Sequence, residues 1–144
     1  MIKYKKPHSP ASYYSLLIEP IRSIAYDLGY AIGLHGSMQR DLDIIAVPWI
    51  TSCASAERLA KDIAIAVDGL IADETNSGRP NPDGNGFVPF SADMRHKPHG
   101  RTVWTIIIGG GLFIDLSIMP RMRDWKPLRE NETVIKSMEN SNGK

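Results

Sequence analysis

An aspartate pair opens an apolar run that has the pattern of a buried strand. Asp41 comes directly before this run and Asp43 interrupts it, between Leu42 and Ile44. A carboxylate surrounded by apolar side chains needs a cation, a hydrogen-bond network or a raised pKa, because little water reaches it. Side chains two positions apart in a strand lie on one face, so both acids can bind the same ion.

A third acid, Asp115, interrupts a second apolar run from Phe113 to Met119. If the two strands are neighbours in one sheet, Asp115 can face the same side as Asp41 and Asp43. Three carboxylates about 4 Å apart would repel by roughly 4 kcal/mol per pair at an effective dielectric constant of about 20. The site therefore either raises a pKa or binds a cation. Oxygen ligands favour Mg²⁺ or Mn²⁺, the ions that serve phosphoryl transfer.

Length and composition limit the other possibilities. The 144 residues fit one domain, residues 1–144, with a core of the catalytic type over about 10–121 and a C-terminal extension over 122–144. A net charge of +1 gives no global electrostatic reason to expect binding to nucleic acid or to a membrane. The single cysteine, Cys53, excludes an internal disulfide and favours a reducing compartment. We expect a cytoplasmic protein, since no apolar run is long enough to span a membrane.

Two helices are predicted from apolar periodicity. The first runs from Ser9-Pro10 to Leu28, with Gly29 as its stop and Pro20 as a kink or the start of another helix. The second follows the N-cap candidates of 51–55 and continues to about Ala72.

Four strands are predicted around these helices, in two hairpins. Tyr30 to Gly36 and Asp41 to Val47 form the first, and Thr102 to Ile108 and Leu112 to Met119 form the second, around Gly109-Gly110-Gly111. We expect residues 73–86 to form a long surface loop, and residues 87–94 are ambiguous between a short edge strand and a loop. Beyond Pro120, Trp125 and Leu128 are candidate docking residues, and residues 130–144 form either a weak helix or a frayed tail. The fold class is therefore α+β: a mixed sheet of about four or five strands with helices packed mainly on one face.

Gly36-Ser37 follows a predicted strand, Asp41-Leu42-Asp43 opens the next strand, and Asp115 lies in a later strand. These motifs resemble those of the nucleotidyltransferase superfamily, the DNA polymerase beta-like fold. The likeness covers about residues 30–121. His35-Gly36-Ser37, Lys97-Pro98-His99-Gly100-Arg101 and Met119-Pro120-Arg121 also resemble small phage and prophage proteins that carry this label, which would imply the host cytoplasm.

The resemblance implies a role for each matched residue. Gly36 and Ser37 would contact a triphosphate, Asp41 and Asp43 would bind the metal, and Asp115 would bind metal and act as a base. Superfamily members usually have a longer insert between Gly-Ser and the acid pair, in which a helix begins whose free N–H groups hold phosphate. Only three residues intervene here. Lys97, His99 and Arg101 are candidates to bind the phosphates instead.

Each of these assignments has a simpler alternative. Asp41 is also typical of a turn-end acid paired with Arg40, and Asp115 alone could be a solvent-facing residue of an alternating strand. The basic residues of this segment are also typical of a solvated basic loop: Arg95, His96, Lys97, His99 and Arg101.

We expect a metal-dependent nucleotidyltransferase-like protein that uses Mg²⁺ or Mn²⁺ to pass a nucleotidyl group from a nucleoside triphosphate to an acceptor hydroxyl. The acceptor can be a small molecule, a protein or a nucleic acid. The alternatives are an inactive phage accessory or binding protein of the same fold, and a metal-dependent phosphohydrolase.

Overall fold

The computed structural model describes residues 10–73, 78–80, 87–89 and 95–124, the two short central segments through their backbone. Its regular elements follow one another along the chain as α1 (Pro10–Asp27), β1 (Tyr30–His35), β2 (Leu42–Pro48), α2 (Ala56–Ala66), β3 (Leu70–Ile71), β4 (Gly78–Pro80), β5 (Phe87–Pro89), β6 (Thr102–Gly109) and β7 (Leu112–Ile118).

Five of the strands form one mixed sheet in the order β1-β2-β7-β6-β3. The β2 and β7 strands, which carry Asp43 and Asp115, are parallel neighbours at its centre. The other pairings in this sheet are antiparallel. The α+β class with a mixed sheet of about four or five strands is therefore confirmed. β4 and β5 pair separately as a small ribbon.

The hydrophobic core lies between one face of this sheet and the two helices. Alternate residues of the central strands point into it and are fully or almost fully buried: Leu42, Ile44 and Ala46 from β2, and Ile114, Leu116 and Ile118 from β7. They pack with residues of α1 and α2 in a single cluster. We call the other side, which carries the odd-numbered residues of β2, β6 and β7, the open face. Since side chains alternate along a strand, Asp43 and Asp115 belong to it.

The predicted hairpins are present. β1 and β2 pair with Tyr30 opposite Pro48 and His35 opposite Asp43, and β6 and β7 pair around a glycine turn. All three turn glycines have positive φ, at 87°, 62° and 76° for Gly109, Gly110 and Gly111. Residues other than glycine seldom adopt a positive φ, so the three glycines allow the turn to be tight.

Two sequence predictions are corrected. The second helix ends at Ala66 rather than near Ala72, because residues 67–69 turn the chain and Leu70–Ile71 pair with β6 as an edge strand. Gly69 permits this, since a Cβ there would lie 2.6 Å from a methyl carbon of Ile106. The predicted loop over 73–86 contains β4, at Gly78–Pro80.

For Pro20, the sequence left open a kink or the start of another helix, and no second helix begins there. α1 continues through this proline to Asp27. Proline has no backbone N–H, so the Leu16 carbonyl lacks its usual helical hydrogen bond from position 20. The Leu16 side chain is exposed, so water can reach this carbonyl and satisfy it.

One further prediction is confirmed with a different partner strand, and another falls on residues that the structure does not describe. The short strand expected within 87–94 is present as β5, although it pairs with β4 and not with the main sheet. Trp125, Leu128 and the segment 130–144 lie outside the described residues. Within the part of the chain that is described, no helix has the length and apolarity needed to cross a membrane.

Candidate metal centre

The carboxylates of Asp41, Asp43 and Asp115 converge at one end of the open face. One oxygen of each lies within 4.8 Å of the others. All three residues are half-buried, so water reaches them only partly. Such an arrangement concentrates negative charge and offers oxygen ligands, the donor set that suits a hard divalent cation. The fit to Mg²⁺ or Mn²⁺ is therefore good on chemical grounds.

The sheet register explains how the three acids meet. Asp43 of β2 lies directly beside Asp115 of the parallel strand β7. Asp41 precedes β2, which begins at Leu42, so it belongs to the β1–β2 connection and not to the strand as predicted. Arg40 also contacts Asp41, with its Nη2 atom 3.5 Å from Oδ2. Asp41 is therefore both paired with Arg40 and a member of the acid cluster formed by Asp41, Asp43 and Asp115.

Asp115 is held by a hydrogen bond from the next strand. Thr105 of β6 lies opposite Asp115, and its hydroxyl donates to Asp115 Oδ1 at 2.7 Å. Burial is the main cause that raises the pKa of Asp115, and the negative charges of Asp41 and Asp43 raise it further. The Thr105 bond opposes this shift by stabilising the carboxylate. The site is thus electrostatically strained when it is fully ionised and holds no cation.

Asp115→Asn should stabilise the metal-free protein at neutral pH. Since the folded-state pKa of Asp115 is raised, its favourable contribution is complete below the unfolded pKa, about pH 4, and is lost as pH rises through the folded pKa. Asparagine removes this loss and can still accept the Thr105 bond. Water screens the half-exposed carboxylates, so we expect a gain of about 1 kcal/mol, roughly 3 °C in Tm.

Thermal melts in a chelator at pH 4 and pH 7 measure this effect. The gain from Asp115→Asn should be present at pH 7 and small at pH 4. A variant that is less stable than the wild type at pH 7 would contradict the electrostatic description of the site.

Gly36 makes room for the Asp43 carboxylate. Its φ is +73°, and a Cβ at this position would overlap Asp43 Oδ2. The glycine is therefore needed for the position of a candidate metal ligand, in addition to the phosphate role that the resemblance implies. Ser37 is exposed in the same connection, and its hydroxyl accepts a long hydrogen bond of 3.4 Å from the Gln39 N–H.

Tyr14 of α1 is a residue of this site that the sequence motifs did not identify. It is fully buried in α1. Its hydroxyl donates to the Arg40 carbonyl at 2.7 Å and accepts from the Phe113 N–H at 3.3 Å. These bonds join the segment before Asp41 to the segment before Asp115. Burial raises the pKa of Tyr14, and the negative charges of the three acids raise it further. Its helical spacing gave no signal of this contact, because apolar periodicity does not report where a hydroxyl points.

Tyr14→Phe should lower the free energy of unfolding by about 1–3 kcal/mol. The substitution leaves the Arg40 carbonyl and the Phe113 N–H without their buried partner. Tyr13→Phe, at a partly exposed position of the same helix, is the matched control and should change stability by less than about 0.5 kcal/mol. Urea unfolding of both variants measures the difference. Equal losses of unfolding free energy in the two variants would contradict a stabilising role for the two hydrogen bonds of the Tyr14 hydroxyl.

The predicted phosphate ligands separate into different places. Arg101 lies on the open face, where its Nη1 donates to Ser117 Oγ at 2.8 Å. His99 lines a cavity farther along the same face. Lys97 is exposed, and its backbone N–H donates to the Arg101 carbonyl. Among the hydrogen bonds and ion pairs of the described residues, none joins these three side chains to the acid cluster.

No family model, curated protein or solved structure matches the chain.

Proposed function

We propose that this protein is a metal-dependent nucleotidyltransferase of the DNA polymerase beta-like superfamily. The observation that carries the proposal is the convergence of Asp41, Asp43 and Asp115 within 4.8 Å. The order of the Gly36-Ser37 pair, Asp41 just before β2, Asp43 within β2 and Asp115 on the neighbouring strand supports it. We place the protein in the cytoplasm as part of the same proposal.

In this proposal Asp41, Asp43 and Asp115 would hold Mg²⁺ or Mn²⁺, which would supply positive charge against the phosphates and Lewis-acid activation of the acceptor. Asp115 accepts the proton of the acceptor hydroxyl, because its carboxylate belongs to the cluster that would hold both the metal and that hydroxyl. The acceptor oxygen forms a bond to the α-phosphorus, and the bond from that phosphorus to the bridging oxygen breaks. Pyrophosphate leaves, and the nucleotidyl group stays on the acceptor.

Arg101 is the cation best placed to assist this reaction. Its bond to Ser117 holds the guanidinium on the open face, two residues along β7 from Asp115. A guanidinium carries several N–H donors and can bind phosphate in a bidentate way. The proposal assigns phosphate binding to Arg101 and Ser37 and keeps Lys97 as a further candidate, whereas His99 lies farther along the open face, in the lining of a cavity.

A second function, binding without turnover, is favoured by one observation. No helix begins between Gly36 and Asp41 in the described chain, so the phosphate cradle of a helix N-terminus is missing from this connection. Loss of that cradle would weaken nucleotide transfer more than it weakens the fold. The same three acids would also support hydrolysis, with water as the acceptor.

Thermal melts with Mg²⁺ or Mn²⁺ and each nucleoside triphosphate test the proposal. A ligand at 100 times its Kd stabilises the folded state by about 2.7 kcal/mol, which corresponds to several degrees in a domain of this size. The shift with nucleotide should require metal and should vanish in Asp43→Asn. Product analysis then separates the reactions, since transfer releases pyrophosphate and gives a modified acceptor, whereas hydrolysis leaves no modified acceptor. A folded protein without any shift would favour the inactive binding protein.

A further inference from the structure

A cavity of about 410 Å³ lies on the same open face as the acid cluster. Ile45 and Val47 of β2, and Met119 just after β7, line it together with His99 and Met122. The β2 residues are odd-numbered, like Asp43, and therefore share its face. The cavity and the cluster thus occupy successive parts of one surface.

The two central strands fix the spacing between the cluster and the cavity. Ile45 lies two residues beyond Asp43 and Val47 lies four beyond it, which places them about 7 Å and 13 Å along the strand. The Met119 N–H donates to the Ala46 carbonyl at 2.9 Å, so the β7 side of the cavity stays attached to β2. A ligand that reaches from the cluster to the cavity therefore meets a rigid surface.

A cationic group lies between the two features. Ser117 pairs with Ile45 in the register of β2 and β7, and is buried. The Arg101 guanidinium donates to its hydroxyl. Along the sheet the order is therefore carboxylates, a guanidinium held by a serine, and an apolar cavity.

We propose that this cavity binds the base of the nucleoside triphosphate, an inference that rests on the proposed function. A nucleotide has the same chemical order as the surface: phosphates that bind a cation, a sugar phosphate that an arginine can bind, and a flat apolar base. Ligand pockets typically combine an apolar lining with a few polar groups. His99 and Met119 offer the imidazole and thioether contacts that bases and aromatic rings favour.

The test compares nucleotides with inorganic tripolyphosphate, which has the phosphates but no base. Binding of ATP, GTP, CTP, UTP and tripolyphosphate to the full chain is measured by calorimetry with Mn²⁺ present. We expect at least one nucleotide to bind about tenfold more tightly than tripolyphosphate, the size of effect that stacking of one base gives.

Val47→Trp fills the cavity and should lower nucleotide affinity to the level of tripolyphosphate. Leu70→Trp is the matched control, because Leu70 is 57% exposed on the same face and lies outside the cavity. The control should retain the preference for nucleotide.

The failures of the two proposals are distinguishable. Equal affinity of the wild type for nucleotides and tripolyphosphate would overturn the base site while metal-dependent phosphate binding stands, and this result needs no variant. A folded Val47→Trp that keeps the nucleotide preference would overturn it as well. Failure of both ligands to bind in the presence of metal would overturn the proposed function and the base site together.

Discussion

Asp43→Asn should lower the rate of nucleotidyl transfer by at least about 10²–10³-fold, the cost typical of removing one electrostatic contact to a transition state. Asp43 is the central member of the cluster, beside Asp115 in the sheet and joined to Asp41 through Leu42. Asparagine keeps the size of the side chain and removes the negative charge that would hold the cation, and with it the cation that would bind the phosphates. Release of pyrophosphate with Mn²⁺ and each nucleoside triphosphate measures the effect.

Asp68→Asn is the control for this loss. It removes the same charge from the turn after α2, where φ is +54°, a conformation that asparagine tolerates well. Its activity should equal that of the wild type. Transfer by a folded Asp43→Asn at the wild-type rate would show that the acid cluster does not carry the reaction.

Leu116→Ala should lower the free energy of unfolding by about 2–5 kcal/mol, the range for truncating a buried leucine. Leu116 is fully buried in β7, between the sheet and the helices. Alanine removes its packing atoms and leaves a cavity that neighbouring strands cannot fill. The adjacent residue, Asp115, points to the other face, where it faces the charges of Asp41 and Asp43. Its replacement by asparagine removes that repulsion and should therefore stabilise the metal-free protein.

Urea unfolding of Leu116→Ala and Leu70→Ala tests this contrast. Leu70 is largely exposed at the edge of the same sheet, and its truncation should cost no more than about 0.5 kcal/mol. A cost for Leu116→Ala no larger than for Leu70→Ala would contradict the assignment of the buried face.

Patterns within single segments predicted much of the fold. The apolar runs from Asp41 to Val47 and from Leu112 to Met119 identified both central strands to within a residue at each end, and the glycines after Ile108 identified the turn between β6 and β7. The end of α2 was not predicted, because Leu70 and Ile71 continue an apolar period while their pairing with β6 depends on a strand more than thirty residues later. Local periodicity does not report such distant partners.

In the candidate site too, local patterns predicted individual residues, whereas contacts between distant segments were not predictable. Alternation placed Asp43 and Asp115 in strands, yet their adjacency depends on the parallel pairing of β2 with β7, which was only a condition in the sequence argument. The hydroxyl of Tyr14 and the bond from Arg101 to Ser117 join segments far apart in the chain. No spacing rule connects such residues, so only the structure could bring them into the site.

Mn²⁺ binding to the metal-free chain tests the central claim most directly, since it needs neither a nucleotide nor an acceptor. Paramagnetic resonance of free Mn²⁺ during a titration reports the affinity for wild type, Asp43→Asn and Asp68→Asn. We expect the wild type and Asp68→Asn to bind equally, and Asp43→Asn to bind at least about tenfold more weakly, since the loss of one ligand charge costs more than 1.4 kcal/mol. Equal Mn²⁺ affinity of all three proteins would contradict a metal site formed by Asp41, Asp43 and Asp115.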